Sequence, residues 1–382
     1  MASTISGESE RATGTSFPDR SGWQRDLAEA FRDPAKLCHF LGLDHEVAAT
    51  AAASTAGFPF LVPRSFASRM RRGDPRDPLL LQVLPQGAEA HEVAGYTADP
   101  LHEGQFLTAP GLVSKYAGRA LLLVTGGCAV NCRYCFRREF PYTTSGATRQ
   151  GMEAALEAIA ADASLTEIIL SGGDPLLADN GALGRIVARL DAIPHVRRLR
   201  IHTRLPVVLP SRVDDGLLAA LASARLGIVV VIHANHPAEL DDEVAVAVKR
   251  LASLPAVMLN QSVLLAGVND SVPVLRALSE RLIDIGVVPY YLHLLDRVRG
   301  AAHFDVPGHV ALELHQTLRE TLPGYAVPRL VREVPGEASK TPVERGSNHG
   351  WGSGVDRVAI ASSPTDRSIT SSPVHVFQGD TP

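Results

Sequence analysis

Short apolar runs dominate the second half of the chain, at 120–124, 167–170, 199–201 continuing to 208, 228–232, 257–263 and 287–292. After a longer first step their starts recur about every 30 residues, the length of one strand plus a crossover helix. Between them, 152–161, 181–192, 215–224, 241–251 and 272–285 carry Ala, Leu, Ile and Val at helical spacing. Six such units in series predict an α/β fold with a parallel sheet, open or curled into a partial barrel. An extended piece over 326–334 is a candidate to close one edge.

The flanks read differently. Residues 1–20 are rich in Ser, Thr, Gly and charge without apolar period, which predicts a disordered arm. The pattern Trp23, Leu27, Phe31 with Leu37, Phe40, Leu41 predicts helices broken at Pro34, opening an N-terminal helical and irregular region over 21–114. Prolines at 59, 63, 75, 78, 85, 100 and 110 divide 58–114 into short helices and loops, with one helix over 64–71. The barrel is expected over 115–342. Residues 343–382, rich in Ser, Thr, Gly, Asp and Pro, are expected to be a disordered tail.

Charge and composition narrow the function. The 382 residues carry 37 basic and 41 acidic side chains, so no basic excess points to nucleic acid. The uncharged stretch 47–62 is too short and polar to span a bilayer, and the first residues lack a secretory signal pattern. A cytoplasmic protein is expected. Only Lys36, Lys115, Lys249 and Lys340 are lysines, so any imine chemistry has four candidate positions.

Three of the four cysteines, Cys128, Cys132 and Cys135, form C-x3-C-x2-C just after the first run. Zinc would require a fourth ligand, and neither His nor Cys follows within the next twenty residues; Cys38 reads as a buried core thiol. Three thiolates on a four-iron cluster leave one iron open for a ligand, which suits a reactive cluster. Ser171-Gly172-Gly173-Asp174-Pro175 ends the second run, either as a strand-to-helix turn in which Asp174 caps a helix or as a ligand-binding loop.

The triad after the first strand of a βα series, followed by Gly172-Gly173-Asp174, resembles the radical S-adenosylmethionine superfamily. Lys115-Tyr116, 128–142, 171–176, 203–210, 233–239, 260–270, 289–304 and Lys340-Thr341-Pro342 resemble, more narrowly, the lysine 2,3-aminomutase family, over about 320 residues. The resemblance implies a partial (β/α)6 radical SAM barrel carrying a [4Fe-4S] cluster, S-adenosyl-L-methionine and pyridoxal 5′-phosphate. It implies that Cys128, Cys132 and Cys135 bind the cluster, that Lys340 is the Schiff-base lysine, and that Arg119 holds the cofactor phosphate. Gly172, Gly173 and Asp174 match the segment facing the methionine group; Thr203, Arg204, His233 and Gln261, at strand ends, are candidates for contacting nucleoside or pyridoxal.

Arg137 matches the arginine that clamps the substrate α-carboxylate. Asp296 matches one of two acids receiving the lysine side-chain ammonium, and Glu333 takes the place of the second, with Glu337 as a substitute. Paired carboxylates suit an ammonium that loses its water. The chain has no cysteine after Cys135, so the intersubunit zinc site of the clostridial free-lysine enzymes is missing. That places the resemblance closest to the shorter branch making (R)-β-lysine for elongation factor P. The implied reaction is cleavage of S-adenosylmethionine to a 5′-deoxyadenosyl radical and migration of the lysine amino group from C2 to C3. The implied partners are L-lysine, an electron donor of flavodoxin or ferredoxin type, elongation factor P with its ligase, and a second copy in a homo-oligomer. Two other readings stand beside this one: free-lysine isomerisation for catabolism, osmolyte or natural-product synthesis, and a noncatalytic iron–sulfur interaction protein.

Overall fold

Strands β3 (Arg119–Thr125), β4 (Glu167–Gly172), β5 (Arg198–Thr203), β6 (Gly227–His233), β7 (Ala256–Val263), β8 (Val288–His293) and β9 (Arg329–Arg332) lie side by side, each parallel to the last. They belong to a computed structural model that describes residues 22–54 and 57–344. The chain divides into two units, Met1–Arg345 and Gly346–Pro382; the second, and the arm expected at 1–20, lie outside the described residues. A hairpin of β1 (Leu107–Ala109) and β2 (Leu112–Tyr116) adds to β3 antiparallel, and β10 (Thr341–Pro342) adds to β9 antiparallel. The spatial order follows the chain from β1 to β10, so the ten-stranded sheet curls without crossing.

Helices α1 (Gly22–Ala28), α2 (Pro34–Leu41), α3 (His45–Ala53), α4 (Arg64–Ala67) and α5 (Pro78–Leu81) precede the sheet. The crossovers hold α6 (Arg149–Ala161), α7 (Asn180–Asp191), α8 (Leu205–Val208), α9 (Asp215–Ala222), α10 (Asp242–Ala252), α11 (Val272–Asp284) and α12 (Gly308–Thr321). Four of these begin on a side chain that accepts a first-turn N–H: Thr148, Asp179, Asp214 and Asp241. Each cap fixes where its strand-end loop stops and its helix starts.

Strand alternation separates the two faces. Leu199, Ile201, Ile228, Val230 and Ile232 are buried against the helices. Their neighbours Arg200, His202, Val229, His233, Leu259 and Gln261 alternate onto the lumen and are mostly half-buried. A polar, partly accessible inner face is what a barrel with room inside requires.

Expected and observed elements differ in four places. The third run was expected to stay extended to residue 208, but β5 ends at Thr203 because Asp174 accepts the N–H groups of Arg204 and Leu205 and Pro206 opens α8. The helix expected over 64–71 keeps helical geometry only for α4, after which Arg69 and Met70 bond three residues back. The β1–β2 hairpin, turning at Pro110-Gly111, was hidden among the prolines. Val343, assigned to the tail, is buried and donates its N–H to Leu330 O at 3.1 Å.

Candidate active site

The three cysteines sit on the loop that leaves the C-terminal end of β3, partly exposed, while Cys38 is buried in the core. The N-terminal region forms the wall behind that loop: Asn131 donates its N–H to Leu61 O and Arg133 its N–H to Gln82 O. Arg133, between two of the cysteines, is fully buried, with its guanidinium on both oxygens of Glu89; Arg138 reaches the same carboxylate at 2.8 Å. The thiols sense one another. Burial, then Cys135, raises the Cys128 thiol, and burial, then Cys132, pushes Cys135 up to about 11.

Among the described residues no three His, Cys, Asp or Glu side chains close on a single-ion site. Three free thiols on one loop are the donor set of a four-iron cluster that leaves one iron open for a further ligand. Arg204 donates to the Cys132 sulfur, to Tyr134 Oη at 2.7 Å, to Gln82 Oε1 at 2.8 Å and to Glu239 Oε2 at 2.9 Å. These four contacts tie the cysteine loop to the strand-end loop that carries Arg204 and to the N-terminal wall through Gln82.

The glycine pair brings the β4 loop onto the cysteine loop. A Cβ on Gly173 would lie 2.0 Å from Gly127 O; one on Gly172, at φ 118°, would lie 2.3 Å from Thr125 O. Asp174 is committed to holding that contact rather than to an open ligand position: it accepts from Thr203 Oγ1 at 2.7 Å, Arg204 N at 2.7 Å, Leu205 N at 3.1 Å and Leu176 N at 3.1 Å. Burial pushes its carboxyl up to about 6 against those bonds. Thr203 and Arg204, expected to touch a cofactor, are thereby drawn into the loop framework. His233 Nε2 lies 2.8 Å from Tyr134 Oη, and burial pushes its ring down to about 3. Gln261 pairs with His233 across the β6–β7 register on the lumen face.

Deeper in the barrel the charged residues form one alternating chain. Arg137 grips Glu103 through two bonds, Nε–Oε2 at 2.6 Å and Nη2–Oε1 at 2.9 Å. Lys115 Nζ bridges Glu103 Oε1 at 2.9 Å and Glu333 Oε1 at 3.1 Å; Lys340 Nζ takes Glu333 Oε2 at 2.5 Å. Tyr116 Oη donates to Glu333 at 3.2 Å, and Arg119 stacks on the Tyr116 ring at 4.8 Å. Burial raises the Glu333 carboxyl, but Lys340 and Lys115 outweigh it and hold the group well below the usual carboxylate range. Asp296 faces the same cluster: burial, then Glu333, pushes it up to about 7, with Lys340 and Lys115 opposing. Glu337 is exposed, whereas Glu333 lies within this cluster. Glu103 and Lys115 were not assigned roles from sequence; their signal was a buried-charge pairing that only the fold brings together.

The residues fit the groups the resemblance implies. Lys340 is half-buried beside Tyr291, 5.7 Å from its ring centroid, and on the lumen face His202 Nε2 is buried without a hydrogen-bond partner. An orphaned imidazole nitrogen near Lys340 leaves a polar contact for an occupant of the lumen.

A barrel with a three-cysteine loop at the C-terminal end of its first parallel strand defines a class, and residues 122–252 match the Radical SAM superfamily. Over 86% of its length the chain is 47% identical to the L-lysine 2,3-aminomutase of Escherichia coli (strain K12), covering 96% of that protein. It is 43% identical to the L-lysine 2,3-aminomutase of Haemophilus influenzae over 85% of the chain and 96% of that protein, and 34% identical to that of Clostridium subterminale over 85% and 78%. The chain therefore belongs to the L-lysine 2,3-aminomutase family of radical SAM enzymes and is an isomerase. No helix among the described residues is long and apolar enough to cross a membrane.

Proposed function

We propose that this protein converts L-α-lysine to (R)-β-lysine in the cytoplasm, as a homo-oligomer, with pyridoxal phosphate on Lys340, and that the product is used to modify elongation factor P. The observation that carries the reading is the Lys340–Glu333 pair with Asp296 beside it: an amine for the cofactor next to two acids for a distal ammonium. When bound, the cluster and S-adenosylmethionine supply a carbon-centred radical, and pyridoxal phosphate supplies the conjugated carbonyl that lets an amino group migrate.

The chain's own residues bind, orient and shield. Arg119 offers its guanidinium to the cofactor phosphate. Arg137 faces the substrate carboxylate, and Asp296 with Glu333 receives the side-chain ammonium, whose desolvation two negative charges offset. The cysteine loop, packed against 58–89, keeps water from the reacting centre. Reducing equivalents come from a flavodoxin- or ferredoxin-type donor.

Anaerobic incubation with dithionite, S-adenosylmethionine, pyridoxal phosphate and L-lysine, read by chiral mass spectrometry, should yield (R)-β-lysine. Formation of 5′-deoxyadenosine with no β-lysine would contradict the substrate. The intact mass of elongation factor P from cells lacking this gene should fall by one β-lysyl group; an unchanged mass points to free-lysine metabolism instead.

A further inference from the structure

Glu103 pairs with both Arg137 and Lys115, yet it is not among the residues expected to meet substrate. It is buried, 2% exposed, at the start of a short turn, Glu103–Phe106, that leads into β1. Its carboxylate takes both bonds of the Arg137 fork and the Lys115 ammonium. Arg137 spends its remaining terminal nitrogen on Ser171 Oγ at 2.9 Å and Gly172 O at 3.2 Å. With four of its five N–H groups so engaged, the guanidinium is held by Glu103 and the β4 loop, and one Nη2 N–H is left for a ligand.

The backbone holds Glu103 in place at a cost. His102, immediately before it, has φ 50° and is the only non-glycine residue with positive φ among the described residues. A side-chain-bearing residue in that region is strained and persists only where its surroundings hold it there. Here the strained residue turns the chain so that Glu103 enters the lumen, while Asp99 Oδ1 accepts the Glu103 N–H at 3.2 Å.

Through Lys115 the same carboxylate reaches the other end of the site. Glu103 and Glu333 share the Lys115 ammonium at 2.9 and 3.1 Å. We propose that Glu103 is the positioning residue that sets the reach of the site, orienting the Arg137 guanidinium toward an α-carboxylate at a fixed spacing, through Lys115, from the acid that takes the distal ammonium. The proposal rests on the lysine reading above and adds to it a residue that recognises length and carboxylate without touching substrate. A buried ion pair adds little net stability over apolar packing, but it fixes the geometry of the groups it joins.

The test is equilibrium binding of L-lysine and of L-lysinamide, its neutral carboxamide, to the enzyme loaded with cluster and pyridoxal phosphate but without S-adenosylmethionine. Wild-type enzyme should prefer L-lysine. In Glu103→Gln the ratio of the two dissociation constants should fall by about tenfold, the worth of a well-aimed charged hydrogen bond. A role confined to folding would weaken both ligands equally and leave the ratio unchanged, which overturns the proposal, as would a ratio that increased. Glu103→Asp keeps the charge on a shorter stem, should give an intermediate ratio, and serves as the reading if the Gln variant does not fold. If wild-type enzyme binds L-lysine no better than L-lysinamide, the α-carboxylate clamp itself is wrong and the proposal falls with it; if wild type discriminates and the variants match it, only the Glu103 assignment fails.

Discussion

Lys340 places its ammonium 2.5 Å from Glu333, seven residues upstream, on the carboxylate oxygen that Lys115 leaves open. The two residues are joined by the turn between β9 and β10, so one short segment brings an amine and an acid together. In the free protein the acid already holds an ammonium of the right kind, supplied by the chain itself. On the reading proposed above, a cofactor carried on Lys340 would compete with Glu333 for this amine.

Glu333→Gln should therefore weaken L-lysine binding by about ten- to a hundredfold, the loss of one charged hydrogen bond. Asp296 remains as the second acid, so binding is reduced rather than abolished. Calorimetry on the cofactor-loaded protein measures this directly, and Glu333→Asp should recover part of the loss.

Asp296 introduces a pH dependence whose sign follows from its raised pKa of about 7. The ammonium pairs with the ionised carboxyl, so binding releases a proton from the protonated form. Affinity for L-lysine is lost as pH falls through about 7 and is constant above it, with a limiting slope of about tenfold per pH unit. Dissociation constants measured on either side of neutrality should show that step in wild type and no step in Asp296→Asn.

Borohydride treatment of the pyridoxal-phosphate-loaded protein, followed by digestion and mass spectrometry, should find the cofactor on the peptide containing Lys340. Lys340→Ala should lose that label while keeping its iron. Label on Lys36, Lys115 or Lys249 would move the cofactor elsewhere.

Gly173→Ala should lose the cluster, because the new Cβ would stand 2.0 Å from Gly127 O, beside Cys128. Gly324→Ala, where a Cβ meets nothing within 4 Å, is the matched control. Iron and sulfide per chain should fall in the first and hold in the second.

Cys38→Ala should keep its full iron content and lose about 1 kcal/mol of stability, since Cys38 packs in the core with Leu37 and Leu41. Loss of iron in that variant would make it a fourth ligand.

Much of this was legible in the chain. Five of the crossover helices, α6, α7, α9, α10 and α11, and six of the parallel strands follow from apolar periodicity, because each strand buries one face under helices and each helix one stripe on the sheet; α8 and α12 were not read from it. Cysteine spacing marked the candidate cluster loop, and the lysine-poor composition left four candidate lysines, among which the family resemblance pointed to Lys340. What remained hidden depended on long-range pairing. The β1–β2 hairpin is short and proline-flanked, and its register is set by β3 rather than by its own pattern. Arg204 and Asp174 looked like ligand contacts, but their partners lie on other strands and loops, including Gln82 and Glu239. Glu103 sits in a stretch without periodicity and acquires meaning only when Arg137 and Lys115 arrive beside it.

The central claim is that Asp296 and Glu333 form a receptor for a distal ammonium, and its most direct test compares L-lysine with L-norleucine, which lacks only that ammonium. Binding to the cofactor-loaded enzyme should favour L-lysine by about a hundredfold or more, since only its ammonium gains the attraction of two buried carboxylates. Equal affinity for the two amino acids would contradict the account.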